Sequence, residues 1–212
     1  VGASVSIQTV GQSLGYLGAS LGVAMVLPQI ARTLRHRHLA GVSVLSWFLL
    51  CIACTSWLMY GIRAHETVQI PGNILLVSGG IVVVLLVPSS LSVAARAALL
   101  AVAMSAVVTF AMLTPQHAPG MLGFGIGIFS VLPQLRASFS RSFTGPSAVS
   151  IPTWVMRTAS QASWLAFAII TGDIVVLISA VWTMSVNAAV LSAELRRARR
   201  AADLTPADLV LA

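Results

Sequence analysis

Leu27-Pro28-Gln29-Ile30 and, about half a chain later, Leu132-Pro133-Gln134-Leu135 decide how this chain is read. Each copy sits near the end of an apolar, glycine-containing run and just before an arginine-bearing loop. Proline lacks the amide proton that the helical ladder needs and frees a carbonyl one turn earlier, so a helix carrying it bends there. A proline before a helix exit that recurs in tandem points to a duplicated moving part.

Working outward, 212 residues that are 58% hydrophobic and only 8% charged have too little polar surface to cover a soluble globule. The chain reads as an all-α polytopic membrane protein in which each span needs roughly 20 apolar residues. Candidate helices fall at 10–34, 43–63, 68–87, 93–113, 119–139, 148–170 and 173–195, separated by polar breaks such as Pro88-Ser89-Ser90 and Thr171-Gly172-Asp173. A helix suits each span because it satisfies its own backbone hydrogen bonds in lipid. The first apolar run has no basic segment ahead of it, so no cleavable signal peptide is expected.

The basic residues are all arginine. Arg32, Arg35, Arg37, Arg96, Arg136, Arg141, Arg196, Arg197, Arg199 and Arg200 lie at one set of helix ends, and Arg63 at the other. By the positive-inside rule the arginine-rich side is cytoplasmic, which puts the amino terminus outside and the carboxyl terminus inside a plasma or inner membrane. The net charge of +7 therefore reports topology rather than nucleic-acid binding, which needs a basic patch on a soluble face. The segment 196–212 is expected as a cytoplasmic tail whose basic cluster is drawn to anionic lipid.

The two halves align. An offset of 105 residues places Pro28-Gln29 on Pro133-Gln134; after a two-residue insertion the offset of 107 places Trp47 on Trp154, Ser56-Trp57 on Ser163-Trp164, Tyr60 on Phe167 and Glu66 on Asp173. Helices 1 to 3 thus repeat as helices 5 to 7, and helix 4 restores the starting side, so the repeats are parallel. The expected division is 1–87 for the first three-helix repeat, 88–115 for the connector and 116–195 for the second repeat. A site between parallel repeats lies near the bilayer midplane.

With paired Pro-Gln motifs, Ser-Trp pairs and a three-one-three count, the chain from Gly11 to Leu195 resembles the PQ-loop superfamily, and within it the SWEET and SemiSWEET sugar transporters. The resemblance implies alternating access, with Pro28, Gln29, Pro133 and Gln134 at a proline-hinged cytoplasmic gate. The family usually shows four such prolines. Here Pro152 is the third and Leu45 stands at its counterpart. The resemblance also implies that Trp57 and Trp164 stack on a sugar, that Asn73 binds its hydroxyls, and that Tyr60 and Asp173 form an outer gate. Ala180 matches Asn73 in the second half, with Asn187 two turns further on. Ala53 and Ser160 take the family's small polar positions one turn before each tryptophan. Ala24 and Phe129, one turn before the prolines, are expected to line the cavity, Phe129 narrowing it.

Other features have plainer readings. Cys51 and Cys54 form a C-x-x-C within an apolar run and are read as small packing residues rather than a redox or metal pair. Gly18-x-x-x-Gly22 and Gly123-Phe124-Gly125-Ile126-Gly127 are read as close helix packing, since no strand precedes them. Arg63 and Glu66 either form an ion pair or belong to a solvated loop. Arg157 either snorkels to the cytoplasmic headgroups or faces the cavity, where it would meet an anionic solute. Trp47 and Trp154 fit an interfacial belt.

The reading is therefore a facilitative transporter of mono- or disaccharides, acting as a uniporter because no carboxylate lies at mid-membrane. Its alternatives are a carrier of amino acids or other small polar or anionic solutes, and a non-transporting ligand-binding receptor. No enzyme is expected, for no nucleophile–base pair appears in the spans. No cofactor, metal or nucleic acid is expected either. The partners are a small-molecule substrate, the bilayer and, where the chain self-associates, a second copy.

Overall fold

A computed structural model describes residues 6–35, 43–139 and 151–203; within them the side chains of Gln29, 32–34, 130–139, 151–152 and 197–203 lie outside the description. So do the side chains of Pro133, Gln134 and Pro152, and with them most of the expected proline gate.

The described residues form seven helices: α1 (Ile7–Arg35), α2 (Val44–Arg63), α3 (Gln69–Leu86), α4 (Val93–Leu113), α5 (Ala118–Phe139), α6 (Ile151–Thr171) and α7 (Ile174–Asp203). Local chemistry explains their ends. Ser43 and Ser92 accept hydrogen bonds from the amides of Ser46 and Ala95, at 3.2 and 3.1 Å, and so cap α2 and α4. Gly172, at φ 75°, lets the chain leave α6 by a left-handed turn that a Cβ would disfavour. Asp173 then accepts from the amides of Val175 and Val176, both at 3.0 Å, and starts α7. The last helix outruns its expected end at Leu195: Arg196 to Arg200 continue α7, because nothing there breaks a helix.

Five of these helices are long and apolar enough to cross a membrane, and α5 adds the apolar stretch Ala118–Phe129. The outward surface is apolar, with Val102, Leu113 and Ile169 among many large side chains it exposes. The chain is a seven-helix integral membrane protein. Of the two helices outside these five, α6 carries Arg157, Ser160, Gln161 and Ser163.

The packing repeats. In the first triplet α3 touches both α1 and α2; in the second, α7 touches both α5 and α6. Between triplets α1 packs on α6 and α5 on α2, the same contact made twice. Helix α4 lies outside this pattern, against α2, α3 and α5. It is fixed by two arginines. Arg63 at the end of α2 donates to the Ala111 and Thr114 carbonyls at the carboxyl end of α4. Buried Arg96 near the start of α4 donates to the Val84 and Val87 carbonyls at the end of α3. Both cations complete the unsatisfied last turn of a helix and sit at the negative end of its dipole. Arg63 is thereby directed to α4 rather than to Glu66, so the ion pair, one of the two arrangements expected for these residues, is not formed among the described residues.

Candidate functional site

Glycines let the two triplets approach. A Cβ on Gly18 of α1 would lie 3.0 Å from the Trp164 indole and 3.2 Å from the Ser160 carbonyl oxygen; one on Gly123 of α5 would lie 2.9 Å from the Trp57 indole and 3.2 Å from the Ala53 carbonyl oxygen. One turn nearer the helix starts, Gly15 faces Phe167 and Val68, and Gly120 faces Tyr60 and Val175. Each tryptophan meets the aromatic ring one turn on edge to face: Trp57 and Tyr60 at 5.8 Å and 81°, Trp164 and Phe167 at 5.6 Å and 89°. The duplication therefore extends to individual side chains.

These contacts border a cavity of about 560 Å³ between the triplets, within the ~300–1,000 Å³ common for small-molecule sites. Trp57, Ala53, Asn73, Trp164, Ser160 and Ala180 all line it. Asn73 donates through Nδ2 to the Gln69 carbonyl oxygen at 2.6 Å, and its Oδ1 can act only as an acceptor. The Ser160 hydroxyl is occupied, donating at 2.8 Å to the Gly18 carbonyl across the α1–α6 contact.

At the end where α1, α3, α5 and α7 begin, the cavity is closed. Tyr60, Val68, Phe167, Ala168, Val175 and Val176 form a buried apolar cluster there, with Trp57 and Trp164 against its underside. The Tyr60 hydroxyl donates to Asp173 Oδ1 at 2.7 Å and ties α2 to the start of α7. Glu66, in the turn before α3, holds the mirror position of Asp173, but its counterpart ring is Phe167, which has no hydroxyl. Burial, reinforced by the Asp173 charge, raises the Glu66 pKa above the ordinary glutamate value, while a hydrogen bond from Gln12 works against the shift. From the closed end the lining continues to Ser46 and Thr153, near the opposite ends of α2 and α6.

Two expected lining residues lie elsewhere. Ala24 is exposed on the outer face of α1, and Phe129 is 72% exposed on α5. The cavity face of α1 runs through Gly18, Ala19, Gly22, Met25 and Val26, and that of α5 through Gly123, Phe124, Ile126 and Gly127. Ala24 shares a face with Pro28, which is exposed, so one turn before the proline points away from the cavity. Through Pro28 itself α1 stays helical. Gln29, Pro133, Gln134 and Pro152 fall outside the described side chains. Asn187 is fully buried on α7 without lining the cavity, and neither amide atom has a partner among the described residues. Trp154 is no belt residue but is buried against Val186 and Val190 of α7. Trp47 lines the cavity, as does Cys54, while Cys51 packs beside Gly80.

Several lining groups had not been singled out: Gln69 one turn before Asn73, Gln161 beside Ser160, and Ser179 and Thr183 on α7. Arg157 faces the cavity, its guanidinium carbon 5.3 Å from the centre of the Trp154 ring. The signal was in the sequence. Arg157, Ser160, Gln161 and Trp164 recur at the three- and four-residue spacing of one helix face, a polar stripe in an otherwise apolar span.

A helical membrane protein with a cavity enclosed by two like triplets is the class this geometry defines. Residues 10–70, which hold most of α1, all of α2 and the first residues of α3, match the sequence model of the PQ loop repeat. The match thus falls within the first triplet, on the helices that carry Gly18, Pro28 and Trp57. No curated protein matches the chain.

Proposed function

We propose that this protein is a facilitative sugar transporter that works by alternating access, with residues 1–87 and 116–195 as its two moving units and 88–115 as the connector. The observation that carries the reading is the cavity flanked by Trp57 and Trp164, with Asn73 offering an acceptor beside them and the Tyr60 end closed over it. An indole face covers the C–H patches of a sugar ring and its N–H bonds a hydroxyl. Asn73 and Gln69 on α3 supply the amide groups that fix orientation.

In this reading the Tyr60–Asp173 bond is the outer gate, and the extension of the lining toward Ser46 and Thr153 belongs to an inward-directed state. Pro28 and Pro133 are the hinges that close the other end, and Pro152 adds a third on α6. The orientation follows the arginines, with the amino terminus outside and the carboxyl terminus in the cytoplasm of a cell whose plasma or inner membrane holds the protein. Uniport is supported by a described cavity lining that contains no carboxylate to bind and release a proton.

Uptake into proteoliposomes with glucose, sucrose, amino acids and organic anions tests the proposal. Saturable sugar flux that survives collapse of the proton gradient and falls about tenfold or more in Trp57→Ala and Asn73→Ala is the expected result. Ligand binding without flux in the wild type would instead mark a receptor.

A further inference from the structure

We propose that the solute is a sugar acid, a polyhydroxylated compound with one carboxylate, and that Arg157 holds the carboxylate. This deepens the transporter reading and rests on it. Arg157 is the charged residue among the described cavity-lining side chains. It has no hydrogen bond or ion pair among the described residues; its contact is the Trp154 ring, which supports the guanidinium from one face and leaves its N–H donors free. An ionised side chain at such depth faces a cavity and marks a substrate path.

Among the described residues the acids are elsewhere. Asp173 accepts from Tyr60 and from the start of α7, and Glu66 lies beside it at the closed end. Glu194 lies on α7 one turn beyond Val190, and Trp154 packs on Val190. Because α6 and α7 run antiparallel, Arg157 lies one turn from Trp154 in the opposite direction. Among the described residues none supplies a counter-charge to Arg157, and on this proposal it comes from what fills the cavity.

The rest of the molecule fixes the kind of anion. Arg157 and Trp164 are two helical turns apart, roughly 10 Å at 1.5 Å per residue, and both line the cavity. A carboxylate at Arg157 therefore leaves a hydroxylated body to extend toward Trp164, Trp57 and Asn73. Gln161, one turn from Arg157 on the same face, lines the cavity between them with an amide able to donate. The mirror of Arg157 in the first half is Leu50, so the described lining offers one positive charge. That balances a carboxylate; a phosphate monoester carries about 1.5 to 2 negative charges near neutral pH.

Equilibrium binding to the purified full-length protein, read by tryptophan fluorescence with glucuronate, glucose and glucose 6-phosphate at neutral pH, tests this. Glucuronate is expected to bind roughly tenfold or more tighter than glucose, as a charge-assisted bidentate hydrogen bond requires. Arg157→Gln should bring the two to parity, and Arg157→Lys should keep part of the preference. In proteoliposomes an interior-positive potassium diffusion potential should accelerate glucuronate uptake and leave glucose uptake unchanged. Glucose binding as tightly as glucuronate, glucose 6-phosphate binding more tightly, or a preference untouched in Arg157→Gln overturns the proposal. Should Arg157→Gln fail to fold, the wild-type ratio decides alone. Arg157-dependent glucuronate binding without flux of any solute would sustain the anion site and overturn the transporter reading.

Discussion

The α1–α6 contact and the α5–α2 contact are the same contact made twice, and they differ where it matters for recognition. Gly18 against Trp164 repeats as Gly123 against Trp57, and Gly15 against Phe167 repeats as Gly120 against Tyr60. The polar groups do not repeat: Asn73 faces Ala180 across the alignment, Gln69 faces Val176, Arg157 faces Leu50 and Ser160 faces Ala53. The shape of the contact is symmetric, while the chemistry is divided, α3 offering amides and α6 a cation.

Substitutions at paired positions should affect the two contacts alike where they share packing and differently where their polar groups differ. The largest effect is expected from Gly18→Leu and Gly123→Leu, since each drives a side chain into an indole and a backbone carbonyl. Each should cost up to about 3 kcal/mol of thermal stability in detergent, and a large difference between them would contradict the packing symmetry. Next is Tyr60→Phe, which removes the hydrogen bond to the Asp173 carboxylate and should cost about 1.5 kcal/mol. A double-mutant cycle with Asp173→Asn should recover most of that as coupling, whereas Phe167→Leu should show none with Glu66→Gln. Smaller still, Ser160→Ala leaves the Gly18 carbonyl without its donor and should cost about 1 kcal/mol, while Ala53→Ser need not gain it back.

The smallest effect is a pH dependence. Burial and the Asp173 charge raise the Glu66 pKa in the folded protein. A carboxyl raised in this way contributes its stability in the protonated form: the contribution is complete below the ordinary glutamate pKa and is lost as pH rises through the higher folded value. Thermal unfolding followed from acid to neutral pH should show the wild type losing stability relative to Glu66→Gln across that window. Parallel curves would place Glu66 outside the closed cluster.

The seven helices of the described residues were legible in the sequence because most are long apolar runs between polar breaks, while the tandem motif supplied their order and the place of the more polar α6. The tryptophans, Asn73 and the Tyr60–Asp173 pair were legible through the family resemblance, and the structure brings them around one cavity and its closed end. Rotation about the helix axis was not legible. Ala24 and Phe129 were expected inside because they precede the prolines by one turn, yet that turn shares the face of exposed Pro28. The small residues Gly18 and Gly123 carried the phase instead, since a Cβ at either would meet the neighbouring indole. Arg157 stayed undecided because its depth alone suits both a headgroup and a cavity; the choice depends on Trp154, which is buried under it rather than placed at the interface.

The central claim, a symmetric frame around a lopsided solute site, is tested most directly by solute uptake into proteoliposomes by Asn73→Ala and Ala180→Ser side by side with the wild type. The account predicts that Asn73→Ala lowers uptake about tenfold, the loss of one well-made hydrogen bond, while Ala180→Ser stays within about twofold of the wild type on the same scale. Equal losses at the two positions, or full uptake in Asn73→Ala, would contradict it.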